Sequence, residues 1–145
     1  MADDVGAALR ATVERETVRL RAMSEEEAAR RPSPEKWNRK EVLGHLIDSA
    51  CNNHQRIVRA LLSNELDFPA YAQDDWVRCQ DHAGEEWGVL VGLWHAYNRR
   101  LASIIALVPR DKLATRCRIG DGRPTTLGDL IVGYLRHLEH HLGQL

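Results

Sequence analysis

Histidines crowd the end of this chain. Three of the seven fall in its last nine residues, within Tyr134-Leu135-Arg136-His137-Leu138-Glu139-His140-His141-Leu142-Gly143-Gln144-Leu145. His137 and His141 are four residues apart. On a helix that spacing puts both rings on one face with Cβ atoms about 5–6 Å apart, close enough for two imidazoles to reach one metal ion. Taken alone, the pair is a weak signal and reads more readily as two hydrogen-bonded or solvated side chains.

A third imidazole sharpens the reading. His45 lies about two turns into a predicted helix whose apolar pattern of Val42, Leu46 and Ile57 is broken by a polar stripe: His45, Asp48, Ser49 and Asn52. Polar groups bordering a bundle interior need partners, because one left buried and unpaired costs about 1–3 kcal/mol. A metal ion with its water supplies them; an arginine pairing with Asp48 is the plainer alternative. Asp48 lies one turn after His45 and Gln144 one turn after His141, which makes these two the candidates to orient a ligand or bound water. His140 points about 100° away from His141 on a helix and reads as surface or as support for the site. His54, His82 and His95 read as ordinary hydrogen-bonded residues. No residue declares itself catalytic.

The positions of these side chains depend on four long helical segments. The first, about Asp3 to Met23, repeats Val5, Leu9, Val13 and Leu20 at helical spacing. Ser24-Glu25-Glu26-Glu27 then offers a capping box for a short extra turn before Pro32 and Pro34. The second long helix starts with Asn38 as N-cap and Glu41 three residues on, with Trp37 placed to staple against Val42, and should run to about Ser63. Asn64 to about Ala83 has no sustained period and reads as a connection. The third helix, near Gly84 to Val108, stops at Pro109. Thr115 to Ile119 and the turn Gly120-Asp121-Gly122 suggest a small hairpin-like excursion, after which Thr126 caps a last helix running to the chain end.

Long helices with short joins between all but one pair describe an all-α four-helix bundle, a single domain over residues 1–145, with a long crossover between helices two and three. That crossover makes helices two and three parallel, and leaves one and two, and three and four, as antiparallel neighbours. The start of helix two then faces the end of helix four, bringing His45 level with His137 and His141.

Composition excludes other classes. A formal charge of -1, with Lys and Arg scattered among Asp and Glu, lacks the electrostatic footprint of a nucleic-acid binder. No apolar run is long enough to span a membrane. The acidic start Met1-Ala2-Asp3-Asp4 leads directly into a helical pattern, and Cys51, Cys79 and Cys117 form no Cys-x-x-Cys pair, so a cytoplasmic protein with reduced thiols is expected. Arg116, Arg118 and Arg123 flank the turn before the last helix and are read as solvated rather than as an anion site.

Two segments, Trp37 to Ser49 and Tyr134 to Gln144, resemble the DinB/YfiT-like superfamily of bacterial bundles, and the order of helices matches over nearly the whole chain. The resemblance implies a bundle with a long middle crossover and metal ligands at His45, His137 and His141. It also implies one divalent metal ion, zinc or nickel, and a homodimer. Some members transfer low-molecular-weight thiols onto electrophiles and others are called metal-dependent hydrolases, so the resemblance implies a metal-dependent hydrolase or thiol transferase acting on a small molecule. Three neutral imidazoles leave an ion its full charge and an open position, the arrangement of catalytic zinc. The rival reading is a non-catalytic metal- or small-ligand-binding dimeric bundle.

Overall fold

The computed structural model describes all 145 residues. α1 (Ala2–Arg21) has Asp3 and Asp4 in its first turn and Arg19 and Arg21 in its last, each sign at the end the helix dipole favours, and buries Leu9, Val13 and Leu20. α2 (Glu25–Ala29) is the short turn expected after Ser24, whose hydroxyl accepts from the Glu27 backbone N–H. α3 (Arg39–Leu61) begins with a complete capping box: Asn38 accepts from the Glu41 N–H at 2.9 Å and Glu41 accepts from the Asn38 N–H at 3.1 Å. α5 (Trp87–Ala106) and α6 (Leu127–Leu142) complete the four long helices, the latter capped by Thr126, which accepts from the Asp129 N–H.

Their directions are those the crossover requires. Arg10 on α1 donates to Ser103 on α5 at 2.6 Å, and the Trp87 indole donates to the Leu20 carbonyl, so α1 and α5 are antiparallel. His54 meets Tyr97 while Lys40 meets the Glu85 carbonyl, so α3 and α5 are parallel. Adjacency, however, differs from the expectation. α1 packs on α5 and α6, and α3 packs on the same two, so α1 and α3 occupy one diagonal of the bundle and α5 and α6 the other. Consecutive antiparallel helices are therefore not neighbours. The joins are not short: residues 22–38 and 107–126 each hold enough chain to reach the opposite corner.

The crossover also holds more structure than its sequence declared. β1 (Glu65–Phe68) and α4 (Gln73–Gln80) lie in the stretch read as irregular, followed by a single 3-10 turn over His82–Gly84. β1 pairs in parallel with β2 (Arg116–Ile119), which pairs antiparallel with β3 (Thr125–Thr126), giving a three-stranded sheet in the order β1-β2-β3. The excursion before the last helix is thus the middle and edge of a sheet whose first strand comes from the crossover. Leu66 and Cys117 turn inward from it into the core. The return after β2 needs a left-handed residue, and Gly120 supplies it at φ 57°, its N–H donating to the Phe68 carbonyl at 2.8 Å. Arg116 and Arg118 pair with Glu65 and Asp67 across the ladder at the surface. The sheet lies beside the end of α3 and the start of α6, leaving the other end of the bundle, where α3 begins and α6 finishes, for the histidines.

Candidate metal centre

The sequence fixes His45 at depth before any ion is considered. The capping box sets where α3 begins, and two turns later His45 is completely buried, flanked by the core residues Leu43 and Leu46. Opposite, the end of α6 is held by cations on two other helices. Arg19 on α1 donates to the Leu142 carbonyl at 3.1 Å, and Arg39 on α3 donates to the Leu145 carbonyl at 3.3 Å. These arginines add donors to the last carbonyls of α6, one of which, Leu142, also accepts from the Leu145 N–H, and they tie the turns that carry His137 and His141 to α1 and α3.

The three rings converge. Their centroids are 5.1 Å apart for His45 and His137, 4.7 Å for His45 and His141, and 4.5 Å for His137 and His141. One ring nitrogen from each lies within 4.8 Å of the other two. The Nε2 atoms of His45 and His137 are 3.2 Å apart. Two nitrogens each bound to a tetrahedral ion at about 2.0–2.1 Å stand roughly 3.4 Å apart, so this pair is already at ligating separation.

The far sides of two rings are occupied. His141 Nδ1 lies 2.8 Å from Gln144 Oε1, and because an amide oxygen only accepts, that nitrogen carries the proton and leaves Nε2 with its lone pair. His137 Nδ1 is 3.4 Å from Ser49 Oγ, itself near the Asn53 amide. Gln144 was anticipated from its spacing. Ser49 stood in the polar stripe but had no assigned role, although its position one turn after His45 on the face toward α6 was signal enough. Asp48 turns elsewhere: its carboxylate accepts from the Gln80 amide at 2.9 Å and faces His82 Nε2 at 3.3 Å, tying the crossover to α3. It acts on the rings through space only, opposing the fall in the His45 pKa. His54 and His95 meet Tyr97 and Glu14, and His140 remains exposed beside His141.

The electrostatics favour neutral ligands. Burial first, then the neighbouring imidazoles, pushes the pKa of His45 and of His137 from 6.5 down to about 4. The lone pairs are then available at neutral pH. Without an ion, two lone pairs at 3.2 Å repel unless one ring is protonated there, and His45 Nδ1 is buried with no hydrogen-bond partner. Three neutral imidazoles around such a point are a donor set suited to zinc, nickel, copper or iron, and the residues fit a divalent ion. Trp37 packs its ring 5.2 Å from His45 rather than serving only as a staple. Beside it a cavity of about 530 Å³ is lined by Lys36, Trp37, Val42, Gln73, Asp74 and Gln144, among others, so it borders residues that touch His45 and His141.

A bundle with this diagonal order, gathering three histidines from an antiparallel helix pair at one end, belongs to a recognisable class of four-helix proteins. Residues 8–145 match the sequence model of the DinB superfamily, and the chain is a member of it. No curated protein matches it. Among solved structures it is similar to YfiT from Bacillus subtilis, a probable metal-dependent hydrolase with an unusual four-helix bundle topology, at 18% identity over 97% of this chain and 81% of that one, with a TM-score of 0.83. It is also similar to a mycothiol-dependent maleylpyruvate isomerase, at 14% identity over 98% of this chain but only 59% of that one, with a TM-score of 0.78. At such identities the likeness speaks for the fold alone. No helix is long and apolar enough to cross a membrane.

Proposed function

We propose that this chain is a divalent-metal-dependent enzyme in which His45, His137 and His141 hold the ion and leave a position open for water or a small thiol. The observation that carries the reading is the convergence of three ring nitrogens within 4.8 Å of one another, two of the rings having their other nitrogen engaged by Gln144 and Ser49. The ion is zinc or nickel. Held there, it supplies a Lewis acid that brings the pKa of water or a thiol toward neutrality. The protein's own part is to keep the three imidazoles neutral, fix two of them by hydrogen bonds, and shelter the third deep between helices. Trp37, its ring 5.2 Å from that of His45, also lines the cavity and so borders both.

Hydrolysis and thiol transfer need the same ligands. The structural neighbours, one a probable metal-dependent hydrolase and the other a mycothiol-dependent isomerase, make these the two activities to assay. A cytoplasmic homodimer belongs to the same reading, with exposed Val18 on α1 and Val89 and Leu93 on the adjacent α5 available for the contact. The test is turnover. The protein loaded with zinc or nickel is incubated with activated esters and with pairs of small thiols and electrophiles, beside the chelated form. Metal-dependent rates on one panel are expected. If neither panel shows any, the chain is a metal- or ligand-binding bundle without catalysis.

A further inference from the structure

The face of α3 that bears His45 continues past the metal centre to a cation with no counterion. Arg56 follows His45 by eleven residues, so it sits three turns further along the same stripe, after Ser49 and Asn52. Its Nε is buried and has no hydrogen-bond partner. The groups its charge meets are aromatic: the guanidinium carbon lies 5.7 Å from the Phe68 ring centroid and 5.9 Å from that of Tyr71. Burial lowers its pKa, and the group opposing that fall is Tyr71, not a carboxylate. The other half-buried arginines Arg10 and Arg39 also lack an acid, but each donates to an oxygen, Arg10 to Ser103 Oγ and Arg39 to the Leu145 and Glu27 carbonyls, whereas the buried Arg56 Nε meets no acceptor. A half-buried guanidinium whose buried Nε has no acceptor of its own leaves room for an anion from outside.

We propose that Arg56, flanked by Phe68 and Tyr71, is the anion site of this enzyme and takes the carboxylate of a small-molecule substrate whose reacting end lies at the histidine centre. Arg56 between two aromatic faces matches an anion with a flat body, and the planar fork of the guanidinium matches a carboxylate; inorganic phosphate has no flat body to stack there, and the second cation on the Phe68 ring, Arg59 at 5.9 Å, is exposed with its Nε donating to Gln55. Side chains on a helix lean toward its N-terminus, so Arg56 leans back toward His45, and an occupant spanning the two points is on the order of 10 Å long. Between the two ends, on the same face of α3, Ser49 meets His137. On the α6 side the room is already there: Gly133, one turn before His137, is exposed, and a side chain built on it meets nothing within 4 Å. The inference deepens the metal-enzyme reading, and rests on it for the identity of the occupant as substrate.

The test follows the Arg56 side chain directly. Nitrogen-15-labelled protein, metal-loaded, is titrated with benzoate and in parallel with benzamide and inorganic phosphate. The Arg56 Nε–H resonance should shift saturably with benzoate, and benzamide and phosphate should leave it in place. R56M should bind benzoate at least tenfold more weakly while keeping its metal and its melting temperature, with R56K between the two. A resonance that benzoate does not move, one that phosphate moves as readily, or an R56M that binds benzoate as well as the parent overturns the proposal. Since the parent titration needs no variant, a misfolded R56M leaves it intact. The same titration on the H45A/H137A/H141A variant separates the two readings: benzoate binding kept there supports the anion site whatever that variant's metal content says of the histidines.

Discussion

At the scale of single residues, the site depends on which nitrogen of each ring is free. Gln144 decides this for His141 and Ser49 assists at His137, so in the proposed site both would act on the metal through a ligand. Gln144→Ala and Ser49→Ala should each weaken metal binding by roughly 10–100-fold, read by competition with a chromophoric chelator, while the fold stays intact. The histidines also set a pH dependence. With His45 and His137 pushed from 6.5 down to about 4, the unfolded chain binds protons between those values that the native metal-free protein does not. Stability therefore rises with pH across that window and is lost as pH falls from about 6.5 toward 4. Urea midpoints of the metal-free protein at pH 7.5 and pH 5 should show the drop, and an H45Q/H137Q variant, with nothing to protonate at those positions, should show much less of it. That His45, His137 and His141 come together was legible in the sequence, because four-residue spacing on one helix and a polar break in another are local signals. Arg56 was not, since a charged residue on a helix announces nothing until its missing counterion is seen.

At the scale of elements, two glycines that look alike in sequence differ in what surrounds them. A Cβ on Gly44, one residue before His45, would stand 2.2 Å from the His82 ring, where the crossover packs against α3. Gly92, inside α5, has nothing within 4 Å. Gly44→Ala should therefore cost about 1–3 kcal/mol by overpacking and disturb the neighbouring metal site, whereas Gly92→Ala should add roughly 0.5–1 kcal/mol by helix propensity alone. Thermal or urea unfolding of both variants checks the contrast. The capping box at Asn38 makes a third case: Asn38→Ala should cost about 1 kcal/mol and loosen the start of α3 that places His45. Helix starts were readable because Ser24, Asn38 and Thr126 carry their chemistry locally, and all three accept the expected backbone N–H. β1 was not readable, because its partner β2 lies about fifty residues away and its four residues hold one buried side chain. α4 was hidden for a similar reason: a single residue, Val77, is buried along it, and its placement comes from Gln80 reaching Asp48 on another helix.

At the scale of the whole molecule, helix directions could be inferred and helix neighbours could not. The crossover makes α3 and α5 parallel whatever the corner assignment, but which helices touch depends on how far the joins reach, and those joins contain structure formed only in the folded state. The diagonal order has a consequence for the metal. His45 comes from α3 and the two histidines it meets from α6, a pair separated by some ninety residues of chain, so the cluster exists only when the bundle is assembled. An ion binding there should stabilise the fold by mass action, by about 2.7 kcal/mol at a hundredfold excess over Kd and a rise of roughly 10 °C in Tm, and a chelator should reverse it.

Metal content after exhaustive dialysis tests the central claim most directly. Elemental analysis of the parent protein and of the H45A/H137A/H141A variant, each first loaded with zinc or nickel, should find about one ion per chain in the parent, as a three-imidazole site holds. The variant should retain none. Equal amounts in the two proteins would contradict the account.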